Sequence, residues 1–276
     1  MQLKITTIIE DTQGEHKGLL YEHGLSFFIE KDNYRMLFDV GQSAAFLDNA
    51  RQLNIDLRRL DSVALSHGHY DHTGGFRELA EKTTRFTLFT GDGFFDEKYG
   101  ICDNSCEFLG NSFDEMYLSS KGIEHQIVHE RLRKIAPGIH IISDFPRIHE
   151  DEKINPRFKI FRDGVFHPDF FRDEIAIAVD TPGGLVVLLG CSHPGMKNML
   201  DAAVQLLQRP LYAVLGGTHL IEAQEGSLDL SIEYLKQESI KIIGVCHCTG
   251  QKALDRLAGS NACYKSNRTG SFLFIE

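Results

Sequence analysis

Four times along this chain an apolar run stops and a histidine follows within a few residues. Residues 62–65 precede Ser66-His67, and 185–189 precede Gly190-Cys191-Ser192-His193. Residues 211–215 precede Gly216-Gly217-Thr218-His219, and 240–245 precede Cys246-His247. Short apolar runs bounded by glycine read as buried strands. Open α/β sheets place ligands at the carboxyl ends of their strands. A fold that brings equivalent strand ends to one edge therefore brings these histidines together. Strand-like runs at 4–9, 25–30, 34–40, 63–66 and 85–89 alternate with helical spacing at 43–53 and 76–82. A hairpin follows, 174–180 and 185–189, around Thr181-Pro182-Gly183-Gly184. Helical spacing returns at 196–208, 228–237 and 251–257, with a last strand at 271–275. The expectation is an α/β fold, two packed sheets with helices outside, a four-layer αββα sandwich.

Within that frame the chain reads as one domain over 1–276. From residue 91 to about 172 the rhythm breaks, and Phe, Gly, Asp and Pro accumulate. This stretch is expected to be an insertion or substrate cap, because long excursions in compact domains tend to carry function. Phe94, Phe95, Phe166, Phe170 and Phe171 in it could line a slot for a flat ring; core packing is the competing reading for most of them.

The densest chemistry is Ser66-His67-Gly68-His69-Tyr70-Asp71-His72-Thr73-Gly74-Gly75. Neutral imidazole suits zinc and also iron, and a carboxylate adds an anionic oxygen. One ion cannot easily take all four groups from so short a loop and remain tetrahedral. Two ions can share them, with His67 and His69 on one, Asp71 and His72 on the other. Paired metals roughly 3.5–4 Å apart clamp a substrate oxygen and supply hydroxide at neutral pH.

Composition narrows the partners. The net charge of −10 argues against a broad nucleic-acid-binding surface. No 18-residue apolar run and no basic leader followed by an apolar core is visible. The expectation is a cytoplasmic protein with a small-molecule substrate, no nucleic acid and no membrane partner. A homodimer through the excursion is the assembly we would look for. Six cysteines are too sparse to suggest a disulfide framework. Cys191 reads as a packed thiol more readily than a ligand, and Cys246 and Cys248 as strand residues turned toward packing.

His-x-His-x-Asp-His after an apolar strand resembles the signature of the metallo-β-lactamase superfamily. The further motifs Gly-Cys-Ser-His-Pro-Gly at 190–195, Gly-Gly-Thr-His-Leu at 216–220 and His-Cys-Thr-Gly at 247–250 occur in order. Together they are similar to the branch of 7,8-dihydropterin-6-methyl-4-(β-D-ribofuranosyl)aminobenzene-5'-phosphate synthases, also described as metal-dependent hydrolases of the superfamily. Thr218 departs from that branch, which has an aromatic residue there. The resemblance implies two divalent ions, zinc before manganese or iron. His67, His69 and a later histidine would hold the first, and Asp71, His72 and His247 the second. His193 is the later histidine by this reading, with His167 and His219 as other candidates. The bridging aspartate usual near this position is replaced by Cys191-Ser192-His193. Asp39, at a strand end, would orient a ligand from behind.

The resemblance implies a hydrolase in which Asp71 doubles as ligand and orienter of the nucleophile and His219 touches substrate. Thr249, Lys265 and Arg268 are the candidate contacts for a phosphate. Two rival readings are a transferase joining phosphoribose to 4-aminobenzoate, and a metal-containing binding protein without turnover. Redox iron chemistry is a further reading, but flavodiiron relatives carry Glu where this chain has His69.

Overall fold

The computed structural model describes residues 2–103 and 105–276. It divides into two compact units. The first comprises residues 1–128, 155–173 and 268–276, and the second 129–154 and 174–267.

The first unit holds a seven-stranded mixed sheet. Its order is Phe272–Ile275, Leu3–Ile9, Ser26–Lys31, Tyr34–Phe38, Ser62–Ala64, Thr87–Gly91 and Glu124–Val128. The first four strands are antiparallel neighbours. Lys31 pairs with Tyr34 across the two-residue turn Asp32-Asn33, where Asp32 takes a φ of 53°. A tight turn of that kind joins only antiparallel strands. From Tyr34–Phe38 onward the pairing is parallel, which requires crossover connections. The helices Ala45–Gln52, Phe76–Ala80 and Glu115–Lys121 lie in these connections. Phe28, Leu37, Phe46, Val63, Phe76 and Leu88 fill the core between sheet and helices. The same unit carries a four-stranded antiparallel sheet, in the order Val165–Pro168, Phe158–Arg162, Glu97–Cys102 and Ser105–Phe108.

The second unit is built on a six-stranded sheet. Its order is Ile242–Cys246, Leu211–Gly217, Gly184–Leu189, Ala176–Thr181, Ile139–Ile142 and Leu132–Ala136. The first three are parallel, linked by the helices Met196–Leu207 and Glu225–Tyr234. Gly184–Leu189 is buried at all six positions, as expected of a strand covered on both faces. Val187, Met199, Leu200, Val214, Ile243 and Leu257 belong to its core.

The elements expected from sequence fall within a few residues of those observed. Residues 91–172, expected as one excursion, contribute strands to all three sheets.

Candidate metal centre

In the first unit, the end of Ser62–Ala64 delivers Ser66 to His69, and a single helical turn, Tyr70–Thr73, carries Asp71 and His72. His67, His69, Asp71 and His72 are all buried. The ring of His67 lies 4.6 Å from that of His69 and 4.4 Å from that of His72, centre to centre. Asp39 follows the neighbouring parallel strand in the left-handed region, at φ 62°. One of its carboxylate oxygens accepts the Ser66 N–H at 2.6 Å, and the other lies 2.7 Å from His72 Nδ1. A carboxylate only accepts, so Nδ1 of His72 carries a proton, and toward a bound metal Nε2 would present its lone pair. Nε2 stands 3.5 Å from Asp71 Oδ2. Two donors on one tetrahedral zinc, each at about 2.05 Å, stand about 3.4 Å apart. Burial, then the neighbouring His72 and His69 rings, hold His67 well below the usual histidine pKa, so it is a neutral donor. Buried imidazoles plus a carboxylate, one ring already oriented by a second carboxylate, fit a divalent metal.

Gly68 separates two of these histidines, and its N–H donates to Asp173 Oδ2 at 2.7 Å. A Cβ there would stand 2.5 Å from the Phe94 carbonyl oxygen, so only glycine lets the loop approach. Behind it the buried Lys98 ammonium bonds Asp169 at 2.7 Å and Asp173 at 3.0 Å. Burial alone would lower the Lys98 pKa; Asp173 and Asp169 outweigh it and raise it. Burial pushes Asp173 up to about 6. The Phe171 ring lies 5.4 Å from the His69 ring and 4.9 Å from Lys98 Nζ.

In the second unit, His193, His219 and His247 follow three adjacent parallel strands and so leave one edge of the sheet. The His193 and His219 ring centres are 4.3 Å apart. The fully buried Glu174 holds the first loop. It accepts the N–H groups of Ser192 at 2.7 Å and of Cys191 and His193 at 3.2 Å. Ser192, His219 and His247 all have positive φ, at 64°, 49° and 53°. Residues other than glycine in this region cost energy and concentrate at functional sites.

Several expectations are refined here. Cys248 is not a strand residue. The strand ends at Cys246, and His247–Thr249 is a 3₁₀ turn that directs Cys248 Sγ to the His219 N–H at 3.3 Å. Burial raises the Cys248 pKa, but Cys191 and the two histidines His247 and His219 outweigh it and bring it to about 5. Thr249 is buried, and its hydroxyl accepts from Thr218 Oγ1 at 3.0 Å. Lys265 and Arg268 are exposed, in the second and first unit respectively. His167, Phe166 and Phe170 are exposed, whereas Phe94 and Phe171 are buried. Lys98, Asp169, Asp173 and Glu174 went unnoticed in the sequence. Each acts through a contact distant along the chain, such as the 105-residue separation of Gly68 from Asp173.

Buried imidazoles and carboxylates at the carboxyl ends of α/β strands make this edge a candidate metal centre. Residues 21–84 match the family described as the metallo-beta-lactamase superfamily. The 7,8-dihydropterin-6-methyl-4-(beta-D-ribofuranosyl)-aminobenzene-5'-phosphate synthase of Methanocaldococcus jannaschii is 32% identical over 267 residues, 91% of this chain and 89% of that one. An uncharacterized protein of the same archaeon is 29% identical, over 93% of this chain and 94% of its own. The crystal structure of Tm1679, a metal-dependent hydrolase of the beta-lactamase superfamily, superposes with a TM-score of 0.86 at 27% identity, covering 99% of both chains. The chain belongs to the metallo-β-lactamase superfamily, in the branch of that archaeal synthase, and has the superfamily's αββα fold.

Proposed function

We propose that the protein is a metal-dependent hydrolase of a small molecule, using two divalent ions, with zinc before manganese or iron. In this reading His67, His69 and His193 hold one ion, and Asp71, His72 and His247 the other. The observation that carries it is the line from Asp39 through His72 to Asp71, at 2.7 and 3.5 Å. It sets a lone pair and a carboxylate oxygen at the separation a metal needs. Bound divalent ions would lower the pKa of a coordinated water and neutralise charge growing on a substrate oxygen.

The chain's own groups do the rest. Asp39 keeps the His72 ring from turning. Asp173 and Glu174 hold backbone N–H groups beside His67, His69 and His193, so these loops need little reorganisation when a metal or substrate arrives. Asp71 orients the attacking oxygen, and His219 supplies a polar contact to the substrate. Thr249 would act through its backbone at the start of the helix Gln251–Ser260, since its side chain is buried and its hydroxyl accepts from Thr218. Lys265 and Arg268 remain the proposed cationic contacts for a phosphate.

The test is hydrolysis of a panel of phosphate esters, diphosphates and carboxylic esters by metal-loaded protein. Asp71→Ala and His69→Ala should abolish turnover and lower metal content; full turnover in both would end this reading. The archaeal synthase relative favours a second one, phosphoribosyl transfer to 4-aminobenzoate. Incubation with 4-aminobenzoate and phosphoribosyl pyrophosphate separates the two: release of carbon dioxide and pyrophosphate supports the transferase. Specific ligand binding without product from any of these compounds would support a binding protein. Among the described residues no helix is long and apolar enough to cross a membrane. A cytoplasmic location and a homodimer stay part of the proposal.

A further inference from the structure

His23 fits no strand-end pattern in the sequence, because it precedes its strand, Ser26–Lys31, instead of following one. Backbone bonds nevertheless tie its loop to Asp11 and to the turn that carries Asp71. The Gly24 N–H donates to Asp11 Oδ1 at 3.2 Å. The Leu25 N–H donates to the Asp71 carbonyl oxygen at 3.2 Å. At Gly24, with φ +150°, a Cβ would stand 2.6 Å from that same oxygen, so the close approach needs glycine.

The side chain is then aimed from both ends. His23 Nδ1 lies 2.9 Å from Asp11 Oδ2, and Nε2 lies 3.4 Å from Asp71 Oδ2. His72 repeats the arrangement, with Nδ1 2.7 Å from Asp39 Oδ2 and Nε2 3.5 Å from the same Asp71 oxygen. Each imidazole therefore has a carboxylate at Nδ1 to receive its proton, and in the neutral form that binds a metal its Nε2 lone pair would face Asp71. Both Nε2–Oδ2 separations match the spacing of about 3.4 Å expected for two donors on one tetrahedral ion.

We infer that His23 is a further metal ligand, at the ion held by Asp71 and His72, with Asp11 as its orienting carboxylate. The inference rests on the reading that this segment holds metal. The His72 side chain is fully buried, whereas that of His23 is 52% exposed. His23 would thus supply a nitrogen donor from the solvent side of the site.

The test is cobalt(II) titration of chelator-stripped protein, followed by ligand-field absorbance and elemental analysis. Wild type is compared with His23→Ala, His23→Gln, Asp11→Asn and His72→Ala. Wild type should bind two equivalents. His23→Ala should weaken one of them beyond the roughly 10–100-fold that losing an outer-shell partner costs, and diminish its absorbance band. Asp11→Asn should fall within that 10–100-fold range. His23→Gln keeps an amide donor for Asp11 without the imidazole. Ligation predicts that it loses affinity as alanine does, and a purely structural role predicts wild-type affinity. If both His23 variants match wild type in stoichiometry, affinity and spectrum, the inference is overturned while the metal centre stands. If wild type binds no cobalt and His72→Ala is indistinguishable from it, the metal-centre reading falls, and the inference with it. Metal-free melting temperatures check folding, and the half-exposed site predicts none shifted in the His23 variants.

Discussion

Asp39→Asn probes the orientation of a ligand without disturbing the backbone. Asparagine tolerates the left-handed φ of 62° about as well as aspartate. What changes is one acceptor. In the wild type both carboxylate oxygens accept, one from the Ser66 N–H and one from His72 Nδ1. An amide has one oxygen, so its NH₂ must face a donor on one side. If it faces Ser66, a buried N–H loses its acceptor, which costs about 1–3 kcal/mol. If it faces His72, the ring relieves the clash by moving its proton from Nδ1 to Nε2. The lone pair beside Asp71 is then gone. Outer-shell losses of this kind weaken metal binding roughly 10–100-fold, or about 1.4–2.7 kcal/mol. The assay is competition between stripped protein and a chromophoric chelator. One equivalent should weaken by that factor while the other is retained. Two equivalents at wild-type affinity in Asp39→Asn, with an unchanged melting temperature, would refute the claim that Asp39 sets the His72 ring.

Other perturbations act elsewhere in the structure. Gly216→Ala places a Cβ 2.0 Å from the Leu189 carbonyl oxygen at φ +102°, and should cost about 2–4 kcal/mol, seen as a melting temperature roughly 5–15 °C lower. An unshifted melt would contradict that packing. Glu174→Gln leaves one of three N–H groups facing an amide, so it should destabilise by about 1–3 kcal/mol in urea titration. Its effect on metal affinity should exceed that of an exposed Glu→Gln control. Folding raises the Asp173 carboxyl pKa, so the stability it contributes is present at low pH and lost as pH rises from about 4 through about 6. Stripped Asp173→Asn protein should lack that decline, and a parallel pH profile would argue against it. Stripping the metal should lower the melting temperature. Each site held at 100 times its Kd contributes about 2.7 kcal/mol, or roughly 5–10 °C here.

What the sequence revealed follows the two regular periods of the backbone. The runs before His67, His193, His219 and His247 are strands because fully buried parallel strands are continuously apolar. Asp39 was visible as a strand-end carboxylate, and Asp71 and His72 as neighbours on one turn. The hidden residues work through contacts that have no period. Lys98 sits in the irregular middle of the chain and meets Asp169 and Asp173 from 71 and 75 residues away. Glu174 accepts the backbone N–H groups of Cys191, Ser192 and His193, which no side-chain pattern reports. His23 becomes visible only once Gly24 lies on the Asp71 carbonyl. Cys248 was misplaced because strand alternation was carried one turn too far, past the point where His247 takes a left-handed φ.

The central claim is a binuclear centre that includes His247. Elemental analysis of the purified protein beside its His247→Ala variant tests it most directly. Two equivalents of zinc or manganese, falling toward one in the variant, is the predicted result. About one equivalent of iron, unchanged in the variant, would contradict the account and remove His247 from the metal.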